Sequence, residues 1–363
     1  MNKTIKILFL SSLIACTLRT PARTDCPKAD INADCFVDLH DFAAIANQWL
    51  TGDQNIPDNM IHIPAGGFEM GDHFAEGTFD ELPLHPILIN DFFISKFETT
   101  NQQYSDFLNA AFGTTIYISD GIVYGTINNQ IYCYTSIDFY TSQINFADSV
   151  FSVKTKPPII GRDMSLDPAC MITWFGAVAY CNWLSENQGY QQCYDLSTWQ
   201  CDFSKQGYRL PTEAEWKYAA RGGQQNPYYR FPWGNTICHD NANYYANPND
   251  LPYDVNPTPG FHPDYNDGIW PYTSPVGSFP PNGFGLYDMI GNASEWCQDK
   301  HSDTYYNTAP YNNPTGPTIG IGRTMSSENW AADPYWSRIS ARYYTAPDSR
   351  GISFGFRVAL NPQ

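Results

Sequence analysis

SFPPNGFGLYDMIGNASEW, running from Ser278 to Trp296, is the stretch that decides the fold. It packs turn residues, a short apolar strand and the Gly291-Asn292 corner into nineteen positions. The run closes on a carboxylate, Glu295, between a small residue and an aromatic one. Two other stretches are as dense in signals. In YRLPTEAEWKYAARGG (Tyr208 to Gly223), Thr212 and Glu215 form a capping box for a helix that ends near Arg221, before Gly222-Gly223. The third is SFGFRVAL, Ser353 to Leu360.

Outward from these stretches the chain reads as α+β with much irregular backbone. Met60 to Gly71 alternates apolar and polar around Pro64 and Gly66-Gly67, and His85 to Phe97 reads as strands too. Thr100 and Gln103 cap a helix through Leu108, with Tyr104, Phe107 and Leu108 on one face. A further helix covers Ile172 to Ser185, with Trp174, Ala177, Val178, Cys181 and Leu184 inward. Segments such as Asn226 to Tyr265, rich in Asn, Pro and Tyr, run as long loops that need something to hold them.

The chain has 363 residues, 16% of them aromatic and only 16% charged. A sizeable core built from it needs many hydroxyl and indole partners. A formal net charge of −17 and the lack of any basic cluster argue against nucleic acid or an anionic membrane surface as partner, and suit cation binding. Residues 1–20 read as a targeting segment: Lys3 and Lys6 are its basic part, and Ile7 to Ala15 is an apolar core too short to span a bilayer. Leu13-Ile14-Ala15-Cys16 resembles a bacterial lipobox, which makes Cys16 the lipidated first residue; the alternative is an ordinary secretory signal cleaved nearby. Both place the protein outside the cytoplasm, lipid-anchored or secreted, and touching a membrane only through a lipid. Ten cysteines in an exported chain are disulfide material. Short loops suggest Cys26 with Cys35 and Cys193 with Cys201, while Cys133, Cys170, Cys181, Cys238 and Cys297 stay unassigned.

Residues 26–52 form a small module of their own. Asp30, Asn32, Asp34, Asp38 and Asp41, with the Phe36 carbonyl, follow the oxygen-ligand spacing of a calcium loop, and a helix with Phe42, Ile45, Ala46 and Leu50 on one face comes directly after. The segment resembles one half of a dockerin, which implies a cohesin-like partner. Cys35 stands where such a loop usually has glycine, and one repeat is present where cohesin-binding dockerins usually carry two. Residues 51–59 are a polar linker.

The three signature stretches together resemble the formylglycine-generating enzymes, or sulfatase-modifying factors, over roughly residues 60–361. The resemblance implies their C-type-lectin-related α+β fold, with few helices, short strands and long loops. It also implies two structural calcium sites. One falls on Asn243, Asp267 and the carbonyls of Tyr244 and Ile269; the other falls on Asp288, Glu295 and the carbonyls of Gly291 and Ala293.

In that family two cysteines bind copper(I), and oxygen is used to oxidise a cysteine of the substrate sulfatase; soft thiolates select that ion. The corresponding stretch here, Arg323 to Arg357, holds no cysteine, and none follows Cys297. Ala331, Ala332, Trp336 and Ser337 stand in the neighbourhood, and the family's paired glycines have become Ser327-Glu328. The copper cofactor is therefore not expected. His62, His73, His85, His239, His262 and His301 are scattered and read as surface or hydrogen-bonding residues. The expected function is a calcium-stabilised binding module without catalytic residues. Trp330, Trp336, Arg338, Arg342, Tyr343 and Tyr344 line its groove, and a peptide or glycan is the ligand. The alternatives are an oxidase working without the usual thiols and a surface component recruited through the front module.

Overall fold

Three α-helices form among the described residues, each behind a threonine. The computed structural model describes Pro57 and residues 59–362, apart from 128, 137–139, 157–160 and 224–226. The targeting segment, the calcium loop from Asp30 to Asp41 and the Cys26–Cys35 bridge lie outside the described residues. Helix α1 spans Asn101–Ala111 behind a reciprocal Thr100–Gln103 capping box. In α2, Trp174–Asn187, the Thr173 hydroxyl accepts from the Gly176 N–H, so the helix starts two residues later than expected. Helix α3, Glu213–Ala220, has its Thr212–Glu215 box as expected. Each cap contributes about 1 kcal/mol by satisfying amides that the helix leaves open.

The strands are short. In chain order they are β1 (Met60–Ile63), β2 (Gly66–Met70), β3 (His85–Ile89), β4 (Phe92–Ser95), β5 (Ile116–Ser119), β6 (Ile122–Gly125), β7 (Ile131–Tyr134), β8 (Ile144–Ala147) and β9 (Val150–Val153). Then follow β10 (Tyr194–Asp195), β11 (Gln200–Cys201), β12 (Tyr208–Arg209), β13 (Ser294–Lys300), β14 (Arg323–Ser326), β15 (Tyr343–Thr345), β16 (Phe354–Gly355) and β17 (Ala359–Leu360). One four-stranded sheet runs β1-β4-β17-β12 and joins the two ends of the domain. A second, β15-β14-β13-β16, is antiparallel except for the parallel β13–β16 pair, and it carries the Ser294–Trp296 end of the signature stretch. The rest are small antiparallel units: β2-β3, β5-β6-β7, β8-β9 and β10-β11. No helix of the described residues is long and apolar enough to cross a membrane.

Two apolar clusters hold these elements. Around α1 and α2 gather Tyr104, Phe107, Trp174, Val178, Trp296 and Phe356. Around α3, Trp216 and Ala219 pack with Phe68, Ile87, Phe92 and Ile94 of the strands, and with Met289 and Ile290 of the signature stretch. That stretch is also locked to the end of α3. Asn282 Nδ2 donates to the carbonyls of Ala219 and Ala220, closing the helix C-terminus, while its Oδ1 accepts from the N–H groups of Phe284 and Leu286. Gly222, at φ +61°, comes so close that a Cβ there would sit 2.6 Å from the Gly283 nitrogen.

The suggested Cys193–Cys201 bridge is absent. Tyr194, not Cys193, stands opposite Cys201 in the β10–β11 ladder, and Cys193 Sγ faces the Lys205 carbonyl. The seven cysteines among the described residues are all free thiols.

Buried ion pairs tie the C-terminal loops to this frame. Arg342 grips Glu213 at the start of α3 through Nε and Nη2, at 2.8 and 3.0 Å. Arg338 grips Glu81 through Nη1 and Nη2, at 2.9 and 2.8 Å. Burial alone would raise Glu213, but the charges of Arg342 and Lys217 hold it at about 2. Arg342→Met, which leaves buried Glu213 with only Lys217 at 3.9 Å and the Tyr306 hydroxyl, is expected to cost about 3 kcal/mol in denaturant unfolding. Because the folded pKa is depressed, the pair's contribution is complete above the ordinary glutamate value of 4.5 and disappears as pH falls toward about 2. Stability scans of the variant should lack that part of the acid limb.

Candidate functional site

All three signature stretches meet at one carboxylate. Glu295, fully buried on β13, accepts from Arg357 Nε and Nη2 at 2.7 and 2.6 Å and from Trp216 Nε1 at 2.8 Å. Arg357 belongs to SFGFRVAL and Trp216 to TEAEW, so the charge pair and the indole knot the stretches together.

Asp288 and Glu98 lie beside this pair, and both are buried. Burial, with the charges of Asp288 and Glu295, pushes Glu98 well above the usual carboxylate range. Burial likewise raises Asp288 to about 6 against the opposing Gly277 N–H and Arg357. Glu98 is itself well held, accepting from the Ala293 N–H and from Asn292 Nδ2. Asp288 Oδ2 accepts from the Gly277 N–H, but its Oδ1 is buried with no partner. Three carboxylates against one arginine, with an orphaned oxygen, form a donor set that fits a hard divalent cation. Asp288, the carbonyls of Gly291 and Ala293, and Glu98 would hold it; Glu98 was missed in the sequence because it lies almost 200 positions upstream. The expected ligand Glu295 has both oxygens engaged by Arg357, and Gly291 O also accepts from the Ser327 hydroxyl.

At the other expected calcium site the residues do not fit a metal. Lys156 Nζ donates to Asp267 Oδ2 at 2.7 Å, to the Ile269 carbonyl at 2.8 Å and to the Pro271 carbonyl at 2.7 Å, and the side chain is buried. Each of its three N–H bonds has an oxygen. Of the remaining expected ligands, Asn243 donates through Nδ2 to Tyr272 O, and Tyr244 O accepts from His239. An ammonium stands where the sequence led us to expect calcium. No spacing rule links a lysine to a loop 111 positions away.

The expected groove is smaller than its six residues. Arg338 and Arg342 are buried in the ion pairs above. Trp330 is also buried, packed against Phe261, Trp270 and Tyr272. Tyr344 leaves the groove to stack on His301, with ring centroids 4.1 Å apart. Trp336 and Tyr343 remain, and they line a cleft of about 270 Å³ with Phe354, Ala332, Asn329 and Glu328. Larger clefts of about 460 and 450 Å³ open elsewhere, one near Met60 and Tyr180 and the other near Arg209 and Asn361. The smaller cleft is of more interest, because Ala332 and Trp336 belong to the stretch that corresponds to the one carrying the family's copper-binding thiols.

No cysteine lines this cleft. Cys297, the last in the chain, is buried beside Ser326, and burial pushes its thiol well up. The donor set does not fit copper(I). His301, Asp80 and Asp303 cluster on another face, but Arg342 lies 3.9 Å from Asp80 and supplies a cation there already.

This architecture, a Glu–Arg–Trp knot under loops braced by buried charge, defines the class of protein. The Sulfatase-modifying factor enzyme 1-like domain matches residues 48–362, and the chain belongs to that family. It is similar to the formylglycine-generating enzyme of Mus musculus, with 30% identity covering 83% of this chain and 75% of the other. It is 28% identical to the inactive C-alpha-formylglycine-generating enzyme 2 of the same species, over 83% and 85% of the two chains. The structure of PvdO from Pseudomonas aeruginosa superposes with a TM-score of 0.55 at 28% identity, covering 83% of this chain and 94% of that one.

The two corners make opposite predictions for metal content. In calcium titrations of the full chain followed by calorimetry, Asp288→Asn should remove one equivalent of bound ion. Asp267→Asn should leave the count unchanged and lower stability only, since the partner it loses is Lys156.

Proposed function

We propose that this protein is a calcium-stabilised binding module outside the cytoplasm, with its ligand, a peptide or glycan, held in the cleft between Trp336, Tyr343 and Phe354. The observation that carries this reading is the composition of that cleft. Three aromatic side chains and a carboxylate line it, where copper chemistry would need a pair of thiolates. Trp336 and Tyr343 are 39% and 37% exposed, which is large for aromatic residues that serve packing alone. A relative described as inactive shows that the family includes members without the activity. Calcium belongs at the Asp288 corner, where Asp288 Oδ1 has no other partner. The basic and apolar segment ahead of Cys16 supports export.

A turnover assay separates this reading from the oxidase alternative. Copper(I)-loaded protein, in air, meets a Cys-x-Pro-x-Arg peptide, and mass spectrometry follows the aldehyde. The expected outcome is no conversion above a metal-free control, with ligand binding that Trp336→Ala weakens by at least about tenfold, the loss of roughly 1.4 kcal/mol of contact. Conversion above the control would sink the non-catalytic reading.

A further inference from the structure

Glu328 is the group in the cleft that packing does not explain. It stands directly after Ser327, a non-glycine residue held at φ +54°, so the backbone takes a costly turn to present it. Its carboxyl accepts from the Ser294 hydroxyl at 3.2 Å and from Asn329 Nδ2 at 3.1 Å, and Asn329 Nδ2 also reaches Ser294 Oγ at 2.9 Å. These donors are neutral. Among the described residues no lysine, arginine or histidine forms an ion pair with it, and the neighbouring arginines are already committed, Arg338 to Glu81 and Arg342 to Glu213. The domain gives its buried carboxylates Glu81, Glu213 and Glu295 a chain-borne cation, though not Glu98, Asp288 or Asp299. Here it leaves one at a cleft wall among aromatic side chains.

Burial raises this carboxyl to about 7 despite its hydrogen bonds, and the charge of Asp333 adds to the rise. Tyr343, across the cleft, is raised by burial and by Glu328 in turn. A second negative group or a neutral sugar would leave that cost standing. A cation would remove it, and aromatic faces attract the same charge.

We propose that the cleft is a cation-accepting site that takes the ammonium or guanidinium of a lysine or arginine side chain in a peptide, with Glu328 as counter-ion and Trp336, Tyr343 and Phe354 around the alkyl stem. The proposal deepens the binding-module reading and rests on it. It narrows the ligand to a basic peptide, in keeping with a net charge of −17.

The test uses the full chain, calcium-loaded, with tryptophan fluorescence and calorimetry as readouts. The probes are the peptide Gly-Ser-Lys-Ser-Gly, its arginine counterpart, the same peptide with norleucine for lysine, and spermidine. The basic peptides should bind about tenfold more tightly than the norleucine peptide, the size expected of one partly desolvated cation–π and carboxylate contact. Glu328→Gln, nearly isosteric and able to keep the Ser294 contact, should abolish that preference while leaving the weak norleucine binding intact. Equal binding of basic and norleucine peptides to the wild type would overturn the cation assignment and leave the groove reading standing. If Trp336→Ala bound both peptides as the wild type does, the groove reading would fall, and this proposal with it; if no peptide bound, this proposal would fall and a glycan ligand would keep the groove reading. Spermidine binding as tightly as the peptides would overturn the peptide as source. A Glu328→Gln variant that is less stable yet keeps the tenfold preference would show a structural role only, and would overturn it as well.

Discussion

The Glu295–Arg357 pair is the interaction on which the rest of the domain depends. A carboxylate and a guanidinium with no solvent exposure are tolerable only when their geometry is close and the remaining lone pairs are used. Here both conditions hold, because Arg357 binds through two nitrogens and Trp216 fills a further acceptor position. Each partner sits on a different element: Glu295 on β13, Trp216 on α3, and Arg357 between β16 and β17. Removing any one leaves a buried charge or dipole without its complement, so the three signature stretches stand or fall together. This is also why Arg357 Nη2 can reach the Tyr287 carbonyl and fix the loop ahead of Asp288.

The domain matches buried negative charge with chain-borne cations of two kinds. Arg338, Arg342 and Arg357 supply fixed, planar guanidinium groups to Glu81, Glu213 and Glu295. Lys156 supplies a compact ammonium to the Asp267 loop, where two carbonyls leave no flat face for a guanidinium. Asp288 with Glu98, and separately Glu328, have no such partner of their own. Dissociable cations suit these two places: a hard metal ion where the donors are carboxylates and carbonyls, and an organic cation where the walls are aromatic.

How much of this was legible in sequence follows from the range of each interaction. Thr100–Gln103 and Thr212–Glu215 act over three positions, and the helices behind them formed as read. The strands from Met60 and His85 formed too, since alternation is a local signal. Arg338 and Arg342 were read as free groove residues because their partners, Glu81 and Glu213, lie 257 and 129 positions away, although Arg342 does line a small pocket with Glu328, Trp336 and Tyr343. Cys193 and Cys201 are close in sequence, yet the register of a two-residue ladder decides their pairing, and no composition signal reports it. The change from paired glycines to Ser327-Glu328 was visible. Its meaning was not, because only the fold sets Trp336, Tyr343 and Phe354 around it.

A cation carried on the chain and a cation taken from solution differ in what they ask of the environment. Lys156 is present in every folded molecule, and its cost in side-chain entropy and desolvation is met once, at folding. An ion at Asp288 would stabilise the native state by an amount that grows with the logarithm of its free concentration above Kd, as for any ligand of the folded form. The loop carrying Asp267 and Ile269 is thus held by a chain-borne cation, while the corner from Asp288 to Ala293 is held by neutral donors to Asp288 and Glu98 and by Arg357 at the Asp288 carbonyl. That corner leads directly into Ser294, whose hydroxyl meets Glu328 and Asn329 at the cleft. The Asp288 corner and the Glu328 wall of the cleft are thus neighbours in the frame, joined through Ser294.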